Sequence, residues 1–596
     1  MSSLPYRRQP SRQTSRQAST DDREAVQAQM DYYIGIDVGT GSARACIIND
    51  KGDIVGLASE NIGLWQPQQS YYRAISQHNI NPEFVRGIGF DATCSLAVFS
   101  TDTDEPVSVT GPNFDTDRNV ILWLDHRPVE ETDLINSTNH NLLRYVGGKM
   151  SIEMEIPKVL WLKNNMPKEL FDKCKFYDLA DALTHIATGN EKRSFCSVVC
   201  KQGYVPVGVD GSVKGWQDDF LKEIGLEDLV TEDYKRMGGV DGVNGDYLSA
   251  GELVGTLCDK AAAELGLPPG IAIGSGVIDA YAGWIGTVGA KVSLEGDEID
   301  ADVAKNDRTQ AFSRLAAVAG TSTCHLAMSP NPVFVPGVWG PYKDTIIPGY
   351  WMTEGGQSAT GELLKHVIET HPGFNQAISV AESYHTNIYE YLNEHLKEMM
   401  EDQQAPSISY LGRHFFFYGD LFGNRSPIAD PSMAGAVVGL TSDKSVDSLA
   451  IHYYATLEFI ALQTKQIVDT LNEAGHNINS IFMSGSQCQN EILVKLIASA
   501  CNIPVLIPRY VQAAVCHGAA MLGAKAASAD GEGKTEDLWS IMDKMSKPGR
   551  KVVPTTDKTE KALLEAKYKV FLEQCFKQKE YRNLVDEAIG AWNKKN

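Results

Sequence analysis

The feature that most restricts the fold of this chain is a glycine-rich turn between two apolar strands near its start. In the stretch Tyr33–Ile48, apolar residues alternate with small or polar ones as far as Val38 and resume at Ala45, the period expected of half-buried strands. The turn Gly39-Thr-Gly-Ser42 between them predicts a β-hairpin. Such a turn presents backbone N–H groups and hydroxyls, which suits an oligophosphate. The guanidinium of Arg44, just beyond the turn, is placed to reach a terminal phosphate.

A second stretch of the same construction lies far downstream, at Leu315–Met328. It again has an apolar strand, a small turn (Gly320-Thr-Ser-Thr323) and a second apolar strand. Neither copy is a Walker loop or a dinucleotide fingerprint, because both of those lead into a helix. Each hairpin alone is more typical of an ordinary β-turn than of a nucleotide site. Two of them, each heading its own half of the chain, favour a nucleotide bound between two domains.

Length and composition limit the class of protein. With 596 residues, 43% of them apolar, the chain is too long for one core and predicts two to four globular domains. A net charge of -22 argues against nucleic acid or an anionic membrane as partner. The 11 cysteines are scattered, and the close pair Cys196 and Cys200 has no further ligands beside it, so a zinc site is not expected. Without a secretory signal or a membrane-spanning run, we expect reduced thiols and a cytoplasmic location.

Composition and periodicity divide the chain into five parts. Charged helical patterns at Lys561–Lys577 and Glu580–Lys594 indicate two helices near the end, and Leu449–Leu471 indicates a long helix that packs in the interior. A mitochondrial presequence is the alternative for the Ser- and Arg-rich start, which has few apolar residues. The predicted parts are a disordered tail at 1–30, an α/β domain at 31–290, an acidic insertion at 291–311, a second α/β domain at 312–530, and a helical cap at 531–596.

Three stretches of the first domain place polar residues where a strand ends, the usual position of ligand contacts. Val85–Phe99 has the polar segment Asp91–Ser95 between two apolar runs, which is either a contact loop or a plain turn. Ile121–Arg127 is an apolar run that ends in charged residues able to bond sugar hydroxyls. Lys201 follows a third apolar run, a position that is most often a solvated strand end.

Asp279 begins a predicted helix after an apolar strand and a Gly-Ser-Gly turn, in the stretch Gly270–Trp284. One interpretation is an acid that the helix dipole stabilises. The other is a general base, because a carboxylate aimed from a glycine-rich turn into a cleft can accept the proton of an attacking hydroxyl. The residues alone leave both open.

Two stretches of the second domain place small polar residues beside strands or helices. Glu354–Gly361 precedes an apolar-periodic helix and is either a substrate loop or a capped helix start. Ile481–Asn490 is an apolar strand and a small-residue turn, followed by the amphipathic helix Glu491–Cys501. A glycine at the carboxyl end of a strand gives a base or ribose access to the backbone.

The order of these motifs resembles that of the FGGY carbohydrate kinases, members of the actin-like ATPase superfamily, from Tyr32 to about Ala526. The resemblance implies an α/β fold of two actin-like ATPase (ribonuclease H-like) domains with an interdomain cleft, and ATP and Mg²⁺ as cofactors. It places Asp279 at the family's catalytic base and Asp37 where an aspartate holds Mg²⁺ through water. Serines flank Gly485, where the family often has a run of glycines. The cofactor-binding residues implied are Asp37, Gly39, Thr40, Gly41, Ser42, Arg44, Gly320, Thr321, Ser322, Gly485 and Gln489.

Within that family, Gly89–Leu96 looks like the signature of the D-ribulokinase branch. The resemblance implies transfer of the γ-phosphoryl group of ATP to O5 of D-ribulose by a monomer or homodimer. An L-ribulokinase, a xylulokinase, a polyol kinase of the same family, or a non-kinase actin-like ATPase are the alternatives. The substrate-binding residues implied are Ala92, Thr93, Cys94, Ser95, Trp123, Asp125, Arg127, Lys201, Asp279 and Glu354.

Overall fold

The structure is a computed structural model that describes residues 30–61, 80–291 and 307–593, with side chains as far as residue 590. The tail predicted at 1–30 lies almost wholly outside these residues, as does most of the acidic insertion predicted at 291–311. No helix in the described ranges combines the length and the apolar character needed to cross a membrane.

The first half of the chain alternates strands with helices. Its described strands are β1 (Tyr32–Val38), β2 (Ser42–Asn49), β3 (Ile54–Asn61), β4 (Val85–Ala92), β5 (Leu96–Ser100), β6 (Val120–Ile121), β7 (Cys174–Asp178), β8 (Arg193–Ser194), β9 (Tyr247–Leu248), β10 (Leu253–Thr256), β11 (Ala272–Gly274) and β12 (Val277–Ile278). Its α-helices are α1 (Val129–Ser137), α2 (Glu155–Asn165), α3 (Lys168–Phe171), α4 (Leu179–Thr188), α5 (Phe195–Lys201), α6 (Asp218–Glu223), α7 (Glu227–Thr231), α8 (Asp259–Leu265) and α9 (Asp279–Val288).

The second half repeats this alternation and ends in a long helix. Its described strands are β13 (Arg314–Ala319), β14 (Thr323–Ser329), β15 (Trp339–Lys343), β16 (Trp351–Gln357), β17 (Phe416–Tyr418), β18 (Ala436–Val438), β19 (Ser480–Ser484), β20 (Val505–Ile507) and β21 (Arg550–Val552). Its α-helices are α10 (Gly361–Thr370), α11 (Phe374–Ser383), α12 (Ile388–Asp402), α13 (Val446–Glu473), α14 (Glu491–Cys501), α15 (Ala514–Ala527), α16 (Leu538–Met545) and α17 (Lys558–Asn593).

Each half contains a sheet with the same connectivity. In the first, the order is β3-β2-β1-β4-β11, where β1, β2 and β3 are antiparallel and β4 and β11 run parallel to β1. In the second, β16-β14-β13-β19-β20 repeats that order and those directions. Both predicted hairpins, β1–β2 and β13–β14, are confirmed at the centre of their sheets, as is the predicted two-domain α/β fold.

Helix α15 belongs to the second half in sequence but lies against the sheet of the first half. A Cβ atom added at Gly35 of β1 would lie 1.9 Å from the carbonyl oxygen of Cys516, and one at Gly89 of β4 would lie 1.9 Å from that of Ala519. Only glycine permits so close a contact between strand and helix. The largest hydrophobic core cluster accordingly joins residues from both halves, such as Trp284 of α9 with residues of α15 and α16.

Two predictions near the end of the chain are wrong in detail. The two predicted helices are one continuous helix, α17, because the Gln578-Lys-Glu580 junction contains good helix formers and no breaker. The predicted helical cap also contributes a strand, since β21 pairs with β20 at the edge of the second sheet. The long helix predicted at Leu449–Leu471 is confirmed as α13, with a few more residues at each end.

Three local predictions near the candidate site also differ from the structure. Glu354 lies within β16 rather than in a loop, paired with Leu326 on one side and Trp339 on the other. The strand at Ile121 ends there, so Asp125 and Arg127 belong to the irregular segment that follows it. Lys201 ends helix α5 and is buried, not a solvated strand end.

Candidate active site

Both hairpin turns line one cavity of about 410 Å³ formed by residues from the two halves of the chain. The first contributes Gly39, Thr40, Gly41 and Ser42, and the second Gly320, Thr321 and Ser322. Each turn is closed by a backbone hydrogen bond, in which the first glycine N–H donates to a serine carbonyl 2.9 Å and 2.8 Å away, respectively. The structure therefore brings together two turns that lie far apart in sequence.

The second turn is held by the start of helix α10 and by one glutamine. The backbone N–H of Thr360 donates to Thr321 O at 2.9 Å, and that of Gly361 donates to Gly320 O at 3.2 Å. Gln487 Nε2 donates to the same Gly320 oxygen at 2.6 Å. These bonds occupy the carbonyl oxygens of the turn and fix its conformation. The sequence did not single out Gln487, two residues before the predicted Gln489.

Asp37 and Arg44 form a partly buried ion pair across the first hairpin. They are directly opposed in the β1–β2 ladder, and Arg44 Nη2 lies 2.6 Å from Asp37 Oδ2. Asp37 is fully buried, and this burial raises the pKa of its carboxyl group despite the arginine beside it. The arginine side chain stays about one third exposed and lines the cavity. The ion pair thus fixes the guanidinium beside the first turn.

Asp91 belongs to the polar segment that the sequence pointed out, but it is not among the predicted site residues. It faces Asp37 in the parallel ladder of β1 and β4, and no N–H or hydroxyl donor of the described residues bonds either of its carboxylate oxygens. Burial first, and then the charges of Asp37 and Asp279, raise the pKa of Asp91 well above its usual value. Oxygen ligands gathered in this way suit a divalent cation such as Mg²⁺. Its position at the end of β4, beside Asp37 at the end of β1, was the signal available in the sequence.

Asp279 is the first residue of helix α9 and lines the cavity. Its Oδ1 accepts a hydrogen bond from the backbone N–H of Ala280 at 2.7 Å. Burial, and next the charge of Asp37, raise the pKa of Asp279 to about 7. Glu354 and Lys201 also act on this carboxyl group. Asp279 is therefore subject both to the charges of the first hairpin and to a second charged group in the same cavity.

That second group is a buried ion pair between the two halves of the chain. Lys201 of α5 places Nζ 3.1 Å from both carboxylate oxygens of Glu354 on β16, and both side chains are almost fully buried. The hydroxyl of Tyr281 donates to Glu354 Oε2 at 3.2 Å, and Nζ lies 4.4 Å from the ring centre of Trp339. Both charged residues of the pair line the cavity, so the structure brings together two predicted substrate residues.

A second ion pair between the halves also lines the cavity, and the sequence did not predict it. Arg425 Nη2 lies 3.0 Å from the carboxylate of Glu153. The centre of its guanidinium lies 5.7 Å from the ring of Trp123 and 5.6 Å from that of Trp339. The indole N–H of Trp123 in turn donates to Thr40 Oγ1 at 3.0 Å, which connects this wall to the first hairpin turn.

The turn after β19 completes the wall beside the second hairpin. Gly485 adopts φ +92°, and a Cβ atom there would lie 2.1 Å from the carbonyl oxygen of Ala319. Both the backbone angle and the contact require glycine. Gly485 and Gln512 line the cavity, and Arg44 Nη1 donates to Gln512 O at 3.3 Å. A flat base or ribose can approach the backbone at this point.

The remaining predicted substrate residues divide into two groups. Thr93 and Cys94 line the cavity. Asp125 and Arg127 pair with each other at 2.5 Å, and the guanidinium of Arg127 stacks over Trp161, 4.7 Å from its ring centre. The predicted residues outside the cavity lining are Asp37, Ala92, Ser95, Asp125, Arg127 and Gln489.

Models of two protein-family domains match the chain. Residues 32–286 match the N-terminal domain, and residues 315–527 the C-terminal domain, of the FGGY family of carbohydrate kinases. The chain is 46% identical over 572 residues to the D-ribulokinase of Saccharomyces cerevisiae, which covers 93% of this chain and 78% of that protein. It is 39% identical to the human FGGY carbohydrate kinase domain-containing protein, over 93% of this chain and 98% of that one.

Solved structures show the same fold. The xylulose kinase from Rhodospirillum rubrum superposes with a TM-score of 0.67, over 92% of this chain and 99% of that one, at 16% identity. The glycerol kinase from Plasmodium falciparum, solved with ADP, gives a TM-score of 0.64 over 91% of this chain and 98% of that one, at 14% identity. At such identities the likeness concerns the fold alone.

Proposed function

We infer the function from one premise: this chain belongs to the FGGY family of carbohydrate kinases. It is a sugar phosphotransferase with the two-domain actin-like ATPase fold of that family. We propose that it transfers the γ-phosphoryl group of ATP to O5 of D-ribulose. The supporting observation is the single cavity in which two phosphate-type turns meet the carboxyl group of Asp279 and a polar wall. The D-ribulokinase that is 46% identical supports the choice of sugar.

In this proposal, Asp279 accepts the proton of the attacking sugar hydroxyl. A general base works best when its pKa is near the working pH, and the surroundings of Asp279 raise its pKa to about 7. The Ala280 N–H bond to Oδ1 holds one oxygen, which leaves Oδ2 for the hydroxyl. The step moves one proton to the carboxylate while the oxygen takes the phosphoryl group.

The two turns and Arg44 hold the phosphates. Thr40 and Ser42 of the first turn and Thr321 and Ser322 of the second line the cavity with hydroxyl groups. Asp37 would hold Mg²⁺, with Asp91 beside it, because these two adjacent buried carboxylates fit a cation. When bound, Mg²⁺ neutralises charge on the phosphoryl oxygens. Groups fixed at these positions stabilise the transition state mainly through their charges and hydrogen bonds to the phosphoryl oxygens.

The sugar lies in this proposal against Thr93, Cys94, Trp123, Lys201 and Glu354. The ion pair of Lys201 and Glu354 offers both a donor and an acceptor to hydroxyl groups. A site that hydrogen-bonds a hydroxyl rejects an analogue lacking it by several orders of magnitude. Such a wall suits a ketopentose, which presents several hydroxyls and a carbonyl.

A substrate panel tests the proposal. Purified protein is supplied with MgATP and, in turn, D-ribulose, L-ribulose, D-xylulose and a polyol, and ADP release is measured with a coupled assay. We expect kcat/KM for D-ribulose to exceed each other value at least tenfold. A higher kcat/KM for another member of the panel would make that compound the proposed substrate instead of D-ribulose. ATP hydrolysis that no sugar changes would reject the kinase assignment of the cavity. The cytoplasmic location and the monomeric or dimeric state stay predictions.

A further inference from the structure

Arg425 lies on a loop that a buried hydrogen-bond network makes rigid. The backbone N–H of Asn424, the preceding residue, donates to the carbonyl oxygen of Asp430 at 3.0 Å, and the N–H of Asp430 donates back to Asn424 O at 3.0 Å. The Nδ2 of Asn424 also donates to Asp420 Oδ2 at 2.7 Å. Asp420 also accepts from Gln463 of α13 at 2.8 Å. A side chain that leaves so constrained a loop loses little conformational entropy when it binds a ligand.

The guanidinium of Arg425 has more donors than the described protein groups use. It has five N–H bonds, of which Nη2 faces Glu153 at 3.0 Å and Nη1 faces the weak acceptor Cys324 Sγ at 3.7 Å. Its Nε is buried and bonds no acceptor among the described residues, although the side chain lines the cavity. A buried donor without a partner costs free energy. The second hydrogens of Nη1 and Nη2 are also left by these two contacts, and a ligand oxygen in the cavity can accept from them.

The space for the guanidinium exists because residue 356 is glycine. A Cβ atom at Gly356 would lie 2.9 Å from the carbonyl oxygen of Thr323 and 3.0 Å from both Cδ and Nη1 of Arg425. The neighbouring Gly355 differs, since a Cβ atom there would meet its nearest atom, in Ile467, at an ordinary 3.5 Å. The rings of Trp123 and Trp339 lie on further sides of the cation. The site is therefore shaped around an arginine in this position.

Arg425 and Asp279 line the same cavity. The ring centre of Trp339 lies 5.6 Å from the guanidinium of Arg425 and 4.4 Å from Nζ of Lys201, which pairs with Glu354. Glu354 in turn acts on the pKa of both Asp279 and Arg425. A sugar whose terminal hydroxyl faces Asp279 and which lies against Glu354 therefore shares its cavity with Arg425.

We propose that Arg425 determines specificity for a ketose by donating hydrogen bonds to the carbonyl oxygen of the sugar. Arginine has donors and no acceptor, and a carbonyl oxygen accepts without donating. A polyol has a hydroxyl group at this position. Its proton needs an acceptor, which the guanidinium does not offer, so the polyol binds less well. The inference rests on the proposed function, because it takes Asp279 as the end of the site where the phosphoryl group arrives.

The test compares a ketose with its own polyol in four proteins: wild type, Arg425→Lys, Arg425→Gln and Glu153→Gln. D-ribulose and ribitol differ only in the carbonyl group, and kcat and KM are measured for both, together with KM for ATP. In Arg425→Lys we expect KM for D-ribulose to rise about thirtyfold, KM for ATP to stay within twofold, and the preference for D-ribulose over ribitol to fall at least tenfold. Glu153→Gln keeps the guanidinium and should keep the preference within threefold.

An Arg425→Lys protein that binds ATP normally and keeps the wild-type preference would overturn the proposal. An equal loss of preference in Glu153→Gln would also overturn it, since the ion pair rather than the free donors would then matter. If both Arg425 variants fail to fold, Gly356→Ala is measured together with its KM for ATP, because its Cβ meets both the guanidinium and the backbone of Thr323 beside the second turn. An unchanged preference contradicts the proposal. A reduced preference supports it where KM for ATP stays within twofold and contradicts it otherwise. Gly355→Ala is its matched control.

The same measurements distinguish a failure of the proposed function from a failure of the role proposed for Arg425. If the wild type prefers another ketose, the same ratio is measured with that ketose and its polyol, which rejects D-ribulose but still tests Arg425. If the wild type prefers a polyol to every ketose, both ideas fall.

Discussion

At the scale of single residues, the chemistry depends on the carboxyl group of Asp279. Asp279→Asn keeps the size of the side chain and removes its ability to accept a proton. We expect kcat to fall about 10³-fold or more, with the affinities for ATP and sugar within a few-fold of wild type. Steady-state assays and calorimetric titration of each ligand measure the two effects. Turnover close to that of the wild type would show that Asp279 is not the base.

The same substitution should stabilise the protein without its ligands. The folded-state pKa of Asp279, about 7, lies above the unfolded value of about 4, so the folded state binds the extra proton between these pH values. Its favourable contribution is complete below about pH 4 and is lost as the pH rises through 7. At pH 8 we expect Asp279→Asn to raise the free energy of unfolding by up to about 4 kcal/mol, because about three pKa units correspond to that amount.

Thermal unfolding without nucleotide, at pH 5 and pH 8, measures this effect. The Tm difference between the variant and the wild type should be larger at pH 8. A variant that melts below the wild type at pH 8 would contradict the raised pKa.

Individual site residues were predictable only where neighbours in sequence revealed them. Asp37, Arg44 and Asp279 stand beside glycine turns, and the structure places these turns at the cavity. Arg425 and Glu153 are far apart in sequence and meet only after folding, so no local pattern shows their ion pair. Gln489 points elsewhere because the short helical turn at Ser486–Gln489 turns Gln487, not Gln489, toward Gly320.

At the scale of elements, the second hairpin turn has room for a side chain at its first glycine. A Cβ atom added at Gly320 would meet nothing within 4 Å, and its backbone angle is an ordinary one. Gly320→Ala should therefore leave the Tm unchanged but raise KM for ATP about tenfold, roughly 1.4 kcal/mol, because the methyl group enters the proposed phosphate space. Thermal unfolding and ATP kinetics measure the two.

Gly531→Ala is the matched control, since that exposed position also leaves a Cβ atom free of contacts. Its KM for ATP should equal that of the wild type. A KM for ATP in Gly320→Ala equal to that of the wild type would show that the second turn does not bind the nucleotide.

Helix α5 and strand β16 are joined by the buried pair of Lys201 and Glu354. Glu354→Gln leaves a buried ammonium group without its counter-charge, so we expect a loss of about 3 kcal/mol in stability and a large rise in KM for the sugar. The double variant Lys201→Met/Glu354→Leu should recover most of the stability and none of the activity. Chemical denaturation and sugar kinetics distinguish these results. A single variant as stable as the wild type would mean that water reaches the pair.

Elements were predictable where the hydrophobic period is regular, as in both hairpins and in α13. The strand β16 was not, because its Glu354-Gly-Gly-Gln357 sequence has the composition of a loop. These residues can lie in a buried strand only because of tertiary contacts. Lys201 compensates the charge of Glu354, and Arg425 fills the space beside Gly356.

At the scale of the whole molecule, the two halves are not independent. Helix α15 closes the face of the first sheet, and the main core cluster extends through both halves. We expect residues 1–291, produced alone, to show no cooperative thermal unfolding, and to form a folded complex when co-expressed with residues 292–596. Calorimetry and size-exclusion chromatography measure this. A separately folded first fragment would contradict the shared core.

The position of α15 also bears on how the protein is made. During translation, the glycine face of β1 and β4 leaves the ribosome early, whereas the helix that covers it is synthesised more than four hundred residues later. At about 5–20 residues per second, that face stays uncovered for roughly 20 to 100 seconds. A nascent chain with such an exposed surface is a natural client for chaperones that bind apolar segments.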